Sequence, residues 1–353
     1  MSYESAPSRK RARVEDGERD RDSTLSASGL QKDADVWLSD GSIVVVAADN
    51  VAFRVHKSTL SLRSEIFRDL FSLPNADAAT TETMDGCPIV RVSDSSHDIR
   101  HLFLVLCCGK NYYYDGDALI AAPFEVLASL IRMAHKYAVP DILDHALSRL
   151  KKYYTDDLAA WRDAEMRARY VATKVEHALT VVELARLTNT SSLLPTAFLL
   201  CTELLPSYYL SEEGVPSALG IAMLPISDQL TLISARGDVM HACAERTLRL
   251  LATVPCRGCR TPAACNVSRE APLSAIRDRN VFPDPPLYEQ DVLKPMATTL
   301  WGDTPWRRFC GSCREALTEA DETESQWIWS SLPGIFGMKL DKDSWPSGEA
   351  DGT

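Results

Sequence analysis

The sequence predicts an α+β chain in three parts: a small sheet with flanking helices, a helical region, and a small Cys-rich C-terminal module. Three observations predict it. Residues 53–71 pass from strand alternation to helical spacing within one short stretch. Residues 155–253 carry helical patterning with few breakers. Five of the ten cysteines fall within residues 256–313.

A chain of 353 residues has room for about two or three domains. With 45% hydrophobic and 25% charged residues its composition is that of ordinary globular protein. The net charge of −11 excludes a chain that coats nucleic acid over its whole surface, because phosphates demand a basic face. Ser2 to Asp22 is polar and charged, with no apolar run of the kind that directs secretion. The longest apolar stretch, Ala118 to Ile131, is broken by Pro123 and Glu125 and is too short to span a bilayer. These features place the protein inside the cell, in the nucleus, the cytoplasm or both. There its cysteines are expected as thiols or metal ligands.

Residues 1–32 nearly lack large apolar groups and read as a disordered tail. Within them Arg9, Lys10, Arg11 and Arg13 form a compact basic run. Such a run serves either as a nuclear-import address or as a solvated tail. Ile43 to Val46 is β-branched and reads as a buried strand, with Asp49-Asn50 as a turn and Val51 to Val55 as the return strand. Val51, Phe53 and Val55 share one face. A short helical turn follows. Ser64 then caps a second helix with the stripe Ile66, Phe67, Leu70 and Phe71, and Glu65 suits its first turn.

Residues 74–88 are small and polar and read as a loop, and Ile89 to Val92 as a third strand. His101 to Cys108 reads as an apolar helix stopped by Gly109, with Cys107 and Cys108 as packing residues. Phe124, Leu127, Leu130, Ile131, Ala134, Tyr137 and Ala138 fall on one helical face, with Pro140 beyond it. Ile142, Leu143, Ala146, Leu147 and Leu150 repeat that pattern.

Residues 155–254 read as helical, with breaks at Gly214, Pro216 and Pro225 and core stripes through Trp161, Leu179, Val182, Leu184 and Leu187. Residues 255–338 form the Cys-rich module, in which Leu317 to Trp329 is a helix closed by a Leu332 to Phe336 turn. The tail 339–353 is expected to be loose.

The order and spacing of Asp35-Val36, Phe53-x-Val55-His56-Lys57, Leu60, Arg63-Ser64, Phe67 and Ala134-x-x-Tyr137-x-Val139 resemble the BTB/POZ domain. The resemblance covers residues 33–154 and implies a BTB/POZ fold, a small mixed sheet with flanking helices. It implies a surface for self-association and for capturing other proteins. Some relatives dock cullin scaffolds for ubiquitination, and others recruit co-repressors to chromatin. The wider layout is similar to fungal relatives with a cysteine-bearing C-terminal region. Asp35, His56, Lys57 and Arg63 are the partner-binding candidates. His56 also reads as a structural imidazole at a strand-to-helix corner, and Asp35 also reads as a turn cap. Residues 1–32 offer no amphipathic helix for the swapped dimer of many members. Between Asn75 and Met84, Asp77 and Glu82 lack the preceding hydrophobic residue of cullin-binding members.

Cys256-x-x-Cys259 and Cys310-x-x-Cys313 are two knuckles able to complete a tetrahedral shell around one structural zinc ion. Cys265 is an alternative ligand, and reduced, half-buried thiols are the competing reading. Arg257, Arg260, Arg307 and Arg308 flank the knuckles, and Trp301, Trp306 and Trp327 lie near, either as stacking faces for nucleic acid or as small-core anchors. The acidic residues Glu319, Asp321, Glu322 and Glu324 oppose nucleic acid there. No Gly-rich phosphate loop, His-Glu-x-x-His or Gly-x-Ser-x-Gly is present, so no enzyme is expected. The reading is an interaction adaptor, in a cullin-type ligase or otherwise, with a nuclear transcriptional regulator as the alternative.

Overall fold

The structure, a computed structural model, describes residues 29–72, 82–110, 120–210, 224–278, 293–340 and 345–346. The basic run at 9–13, most of the 74–88 loop, and the Gly214 and Pro216 breaks lie outside these residues.

Five strands make one mixed sheet in the order β1-β3-β2-β5-β4: β1 (Gln31–Trp37), β2 (Ile43–Val46), β3 (Val51–Val55), β4 (Thr83–Met84) and β5 (Cys87–Arg91). β2 and β3 form the expected antiparallel hairpin, pairing Ile43 with Val55 and Val46 with Ala52. Asn50 turns it with φ of 63°, a conformation Asn tolerates better than most residues. β5 lies parallel to β2, and β1 parallel to β3. All four residues of β2 are buried because both faces of the sheet are covered. Ile43 and Val45 join the main core with Phe53 and Val55, while Val44, Val46, Ala52 and Cys87 form a second, smaller cluster. Gly41 is required at the hairpin's entry. A Cβ there would sit 2.8 Å from Arg54 Cγ and 3.0 Å from the Val55 nitrogen.

Helices α1 (Lys57–Arg63), α2 (Glu65–Leu70), α3 (Ser96–Cys108), α4 (Phe124–Lys136) and α5 (Pro140–Tyr153) accompany the sheet. Ser64 caps α2 as expected, and Gly109 ends α3 in the left-handed region. Pro140 both follows α4 and opens α5, where its missing N–H costs nothing. The predicted α4 face is buried apart from Ala138, which is exposed at a φ of 51°.

Several expectations need correction. β1 opens at Gln31, inside the stretch read as a tail, and its exposed edge position explains the absence of apolar alternation. Ile66 and Leu187 point to water rather than to the core. Cys108 is exposed. The third strand begins at Cys87, not Ile89. At the far end Trp345 is buried against Trp329, so the expected loose tail includes an anchored aromatic.

The region after α5 is helical: α6 (Leu158–Arg162), α7 (Ala164–Ala168), α8 (His177–Leu187), α9 (Leu194–Leu210) and α10 (Ile226–Thr253). Two short strands, β6 (Ala122–Pro123) and β7 (Val171–Ala172), pair in parallel and tie it to the first region. Buried Arg149 reinforces that tie by donating to the carbonyls of Tyr170, at 2.8 Å, and Ile120. A single core runs from Val36 through Leu127, Trp161, Phe198 and Val239 to Trp345. The last helices are α11 (Pro262–Asp278), α12 (Met296–Trp301), α13 (Asp303–Arg308) and α14 (Gly311–Ile335). α14 is longer than predicted at both ends. Pro333 sits in its last turn, so the turn read at Leu332 to Phe336 is mostly helix. Leu250, Leu251, Val254, Cys265, Trp301, Phe309, Cys313 and Leu317 make a separate small core. No described helix is long and apolar enough to cross a membrane.

Candidate interaction domain and metal centre

Two sequence elements about seventy residues apart meet at Ser64. Its hydroxyl accepts the Phe67 N–H at 3.1 Å, which caps α2, and donates to the Tyr137 carbonyl at 2.5 Å. The Phe67 and Tyr137 rings stack with centroids 4.2 Å apart and planes 2° from parallel. Tyr137 then donates its hydroxyl to Asp94 at 2.5 Å, and Lys136 pairs with the same carboxylate at 2.6 Å. Burial, with the Asp94 contact behind it, pushes the Tyr137 phenol far above its ordinary range. Arg63-Ser64-x-x-Phe67 and Ala134-x-x-Tyr137 are therefore two halves of one interlocked contact. A family model of the BTB/POZ domain matches residues 38–153. That segment is a BTB/POZ domain. No curated protein matches the chain.

The partner-binding candidates of this BTB/POZ domain are scattered. His56 stands at the corner between β3 and α1, half-buried, with Nε2 3.4 Å from an oxygen of exposed Asp40. Lys57 reaches across to the Phe71 carbonyl at 3.2 Å and lies over the Phe71 ring. Arg63 pairs with Asp141 at the surface. Asp35 is exposed on the edge strand β1. The turn-capping carboxylate belongs to its neighbour Asp33, which sequence reasoning missed. Buried Asp33 accepts the N–H groups of Asp35 and Val36 and takes Arg100 Nε at 2.7 Å. Nothing local distinguishes Asp33 from Asp35, because Arg100 lies 67 residues away.

The second candidate site is the thiol cluster. All five cysteines come together where α10 ends, α11 begins and α14 begins. The sulfurs of Cys259, Cys265, Cys310 and Cys313 lie within 4.8 Å of one another. Cys256 Sγ is 3.6 Å from Cys313 Sγ, and Cys259 Sγ is 3.9 Å from Cys310 Sγ. Tetrahedral zinc with bonds of about 2.3 Å would separate its sulfurs by about 3.8 Å. Backbone donors are aimed at the cluster. The N–H groups of Arg260 and Cys313 donate to Cys310, whose thiol is pulled down to about 6. The Cys310 N–H donates in turn to Cys265 Sγ at 3.4 Å. Burial pushes Cys313 and Cys259 upward, a cost that a bound cation would remove.

The remaining thiols differ in kind. Burial pushes Cys107 up to about 12 and Cys243 up to about 11. Exposed Arg257, Arg260, Arg307, Arg308 and Arg314 surround the cluster. Trp301 is buried edge-on against Phe309 in the small core, whereas Trp327 is exposed on α14.

Proposed function

We propose that the chain is a protein-interaction adaptor, with residues 38–153 as its docking domain and the thiol-bearing module as a second surface. The BTB/POZ match over those residues is the observation that carries this reading. α1 supports it, because Lys57, Leu62 and Arg63 are exposed together and Leu62 keeps 85% of its surface in water. A partner protein, a cullin scaffold or a co-repressor among them, or a second copy would sit over exposed Leu62 on α1, with Asp35 and His56 as separate contacts outside that patch. We further infer that the cysteine cluster holds one structural zinc ion. Four thiolates leave no open position for water, so the ion fixes three chain segments and performs no chemistry.

The test is capture of partners from a cell extract by the full chain, against a variant with Leu62→Glu and Lys57→Glu. Expected is a discrete set of proteins kept by the parent and lost by the variant, with the thermal midpoint unchanged. Identical recoveries from both would remove the face. A chain that is monomeric and recovers nothing specific would remove the adaptor reading.

A nuclear regulator is the second reading, favoured by the five exposed arginines around the thiols on an otherwise acidic protein. Retention on DNA that weakens with salt would support it, and indifference at low salt would dismiss it.

A further inference from the structure

The thiol cluster holds five sulfurs where a tetrahedral ion takes four. We propose that zinc is bound by Cys259, Cys265, Cys310 and Cys313, and that Cys256 is a reserve ligand able to replace Cys265. This rests on the zinc reading above.

The assignment follows from the distances. Cys259, Cys265, Cys310 and Cys313 form the mutually close group. Cys265 is fully buried and receives the Cys310 N–H at 3.4 Å, a contact that holds its sulfur inside the cluster. It stands in the first turn of α11, where its own N–H bonds the Thr261 carbonyl, so a regular helix fixes its direction. Cys256 is half-buried and lies outside that group, with Cys313 Sγ 3.6 Å away as its near neighbour in the cluster. It shares a turn with Cys259, whose N–H donates to the Cys256 carbonyl at 3.1 Å.

That arrangement keeps Cys256 at a tetrahedral edge length from Cys313 without placing it in the four. If Cys265 leaves, the vacated position borders Cys259, Cys310 and Cys313. Cys256, already beside Cys313 and in one turn with Cys259, is the remaining sulfur that can supply the fourth ligand. No redox step is involved. The incoming Cys256 thiol gives up its proton as it binds and the displaced Cys265 sulfur takes one up, so the exchange is neutral in protons and in charge.

The experiment is a set of Cys→Ser variants of the full chain, purified with zinc and read in two ways. Metal content gives stoichiometry, and competition with a chromophoric chelator gives affinity. Cobalt(II) substitution then gives the number of thiolates from its sulfur charge-transfer band. The parent should hold one zinc ion per chain. Cys256→Ser should leave stoichiometry, affinity and the four-thiolate cobalt spectrum as they are. Cys265→Ser should keep one ion and a four-thiolate spectrum, with affinity lower by roughly tenfold to a hundredfold, the scale on which disturbed ligand shells act. Cys256→Ser with Cys265→Ser should show three thiolates or no metal.

A Cys256→Ser variant as damaged as Cys259→Ser would make Cys256 a ligand and overturn the assignment. A Cys265→Ser variant that matches the double variant would overturn the reserve role. A parent chain without zinc would instead strike the underlying zinc reading. Circular dichroism on each variant separates metal loss from failure to fold.

Discussion

The BTB/POZ core and the small core around the thiols meet the same need with different materials. The first buries large side chains in quantity, with Phe103 in ring contact with both Phe53 and Phe67, and Tyr137 stacked on Phe67. Its polar groups pair internally, as Asp33 does with Arg100 and Asp94 with Tyr137 and Lys136. The second contains eight buried apolar residues among the described ones, two of them cysteines. So few side chains do not offset the entropy of ordering several short segments, and the sulfurs are placed where a cation would make up the difference. On the zinc reading proposed above, the small core depends on an ion and the BTB/POZ core does not.

The largest expected effect therefore comes from metal removal. Chelation at neutral pH should release amide protection in residues 255–320 while the BTB/POZ segment keeps its own. Hydrogen exchange read by mass spectrometry measures it. Equal loss in both regions, or none in either, would break the comparison.

A smaller effect tests the joint between the two cores. Arg246 and Asp321 form a buried ion pair between α10 and α14, with Arg246 NH2 2.6 Å from the carboxylate and a further bond to the Lys294 carbonyl. Arg246→Met removes the buried guanidinium that pairs with Asp321 and should cost about 3–5 kcal/mol in denaturant unfolding. Arg246→Met with Asp321→Leu should recover most of that. If the double variant is as unstable as the single one, packing at the joint matters more than charge.

The smallest effect is a pH dependence located in the BTB/POZ segment. Burial lowers the His101 pKa below 6.5, and its electrostatic contacts with His97 and Arg100 push the same way. Above about pH 6.5 both folded and unfolded chains leave this imidazole neutral, so it contributes nothing. As pH falls through 6.5 the unfolded chain binds a proton that the folded chain refuses, so stability drops until the folded value is passed. His177, lowered mainly by burial beneath Phe124, acts in the same direction. Thermal midpoints from about pH 7.5 to about 5.5 should fall, and His101→Leu should flatten part of the slope. An unchanged slope in that variant would assign the effect elsewhere.

Much of the BTB/POZ segment was legible because its elements are local. The β2–β3 hairpin, the Ser64 cap and the Gly109 stop each depend on neighbours within a few positions. β1 was not legible, since an exposed edge strand needs no apolar alternation. Asp33 and Arg246 escaped for another reason, because each depends on a partner more than sixty residues away. The cysteines announced their cluster by spacing alone. The spacing did not rank Cys256 against Cys265, because that ranking depends on where α11 starts relative to the knuckle.

One feature of α14 reaches past both cores. Its first turn carries Cys313 into the thiol cluster, and its last turns carry Ile328, Trp329 and Leu332 into the main core. Twenty-five residues of helix make a rod about 37 Å long, with both tips gripped. With both tips held, the helix keeps the thiol cluster and its end of the main core at a fixed spacing, so strain applied to one is carried to the other.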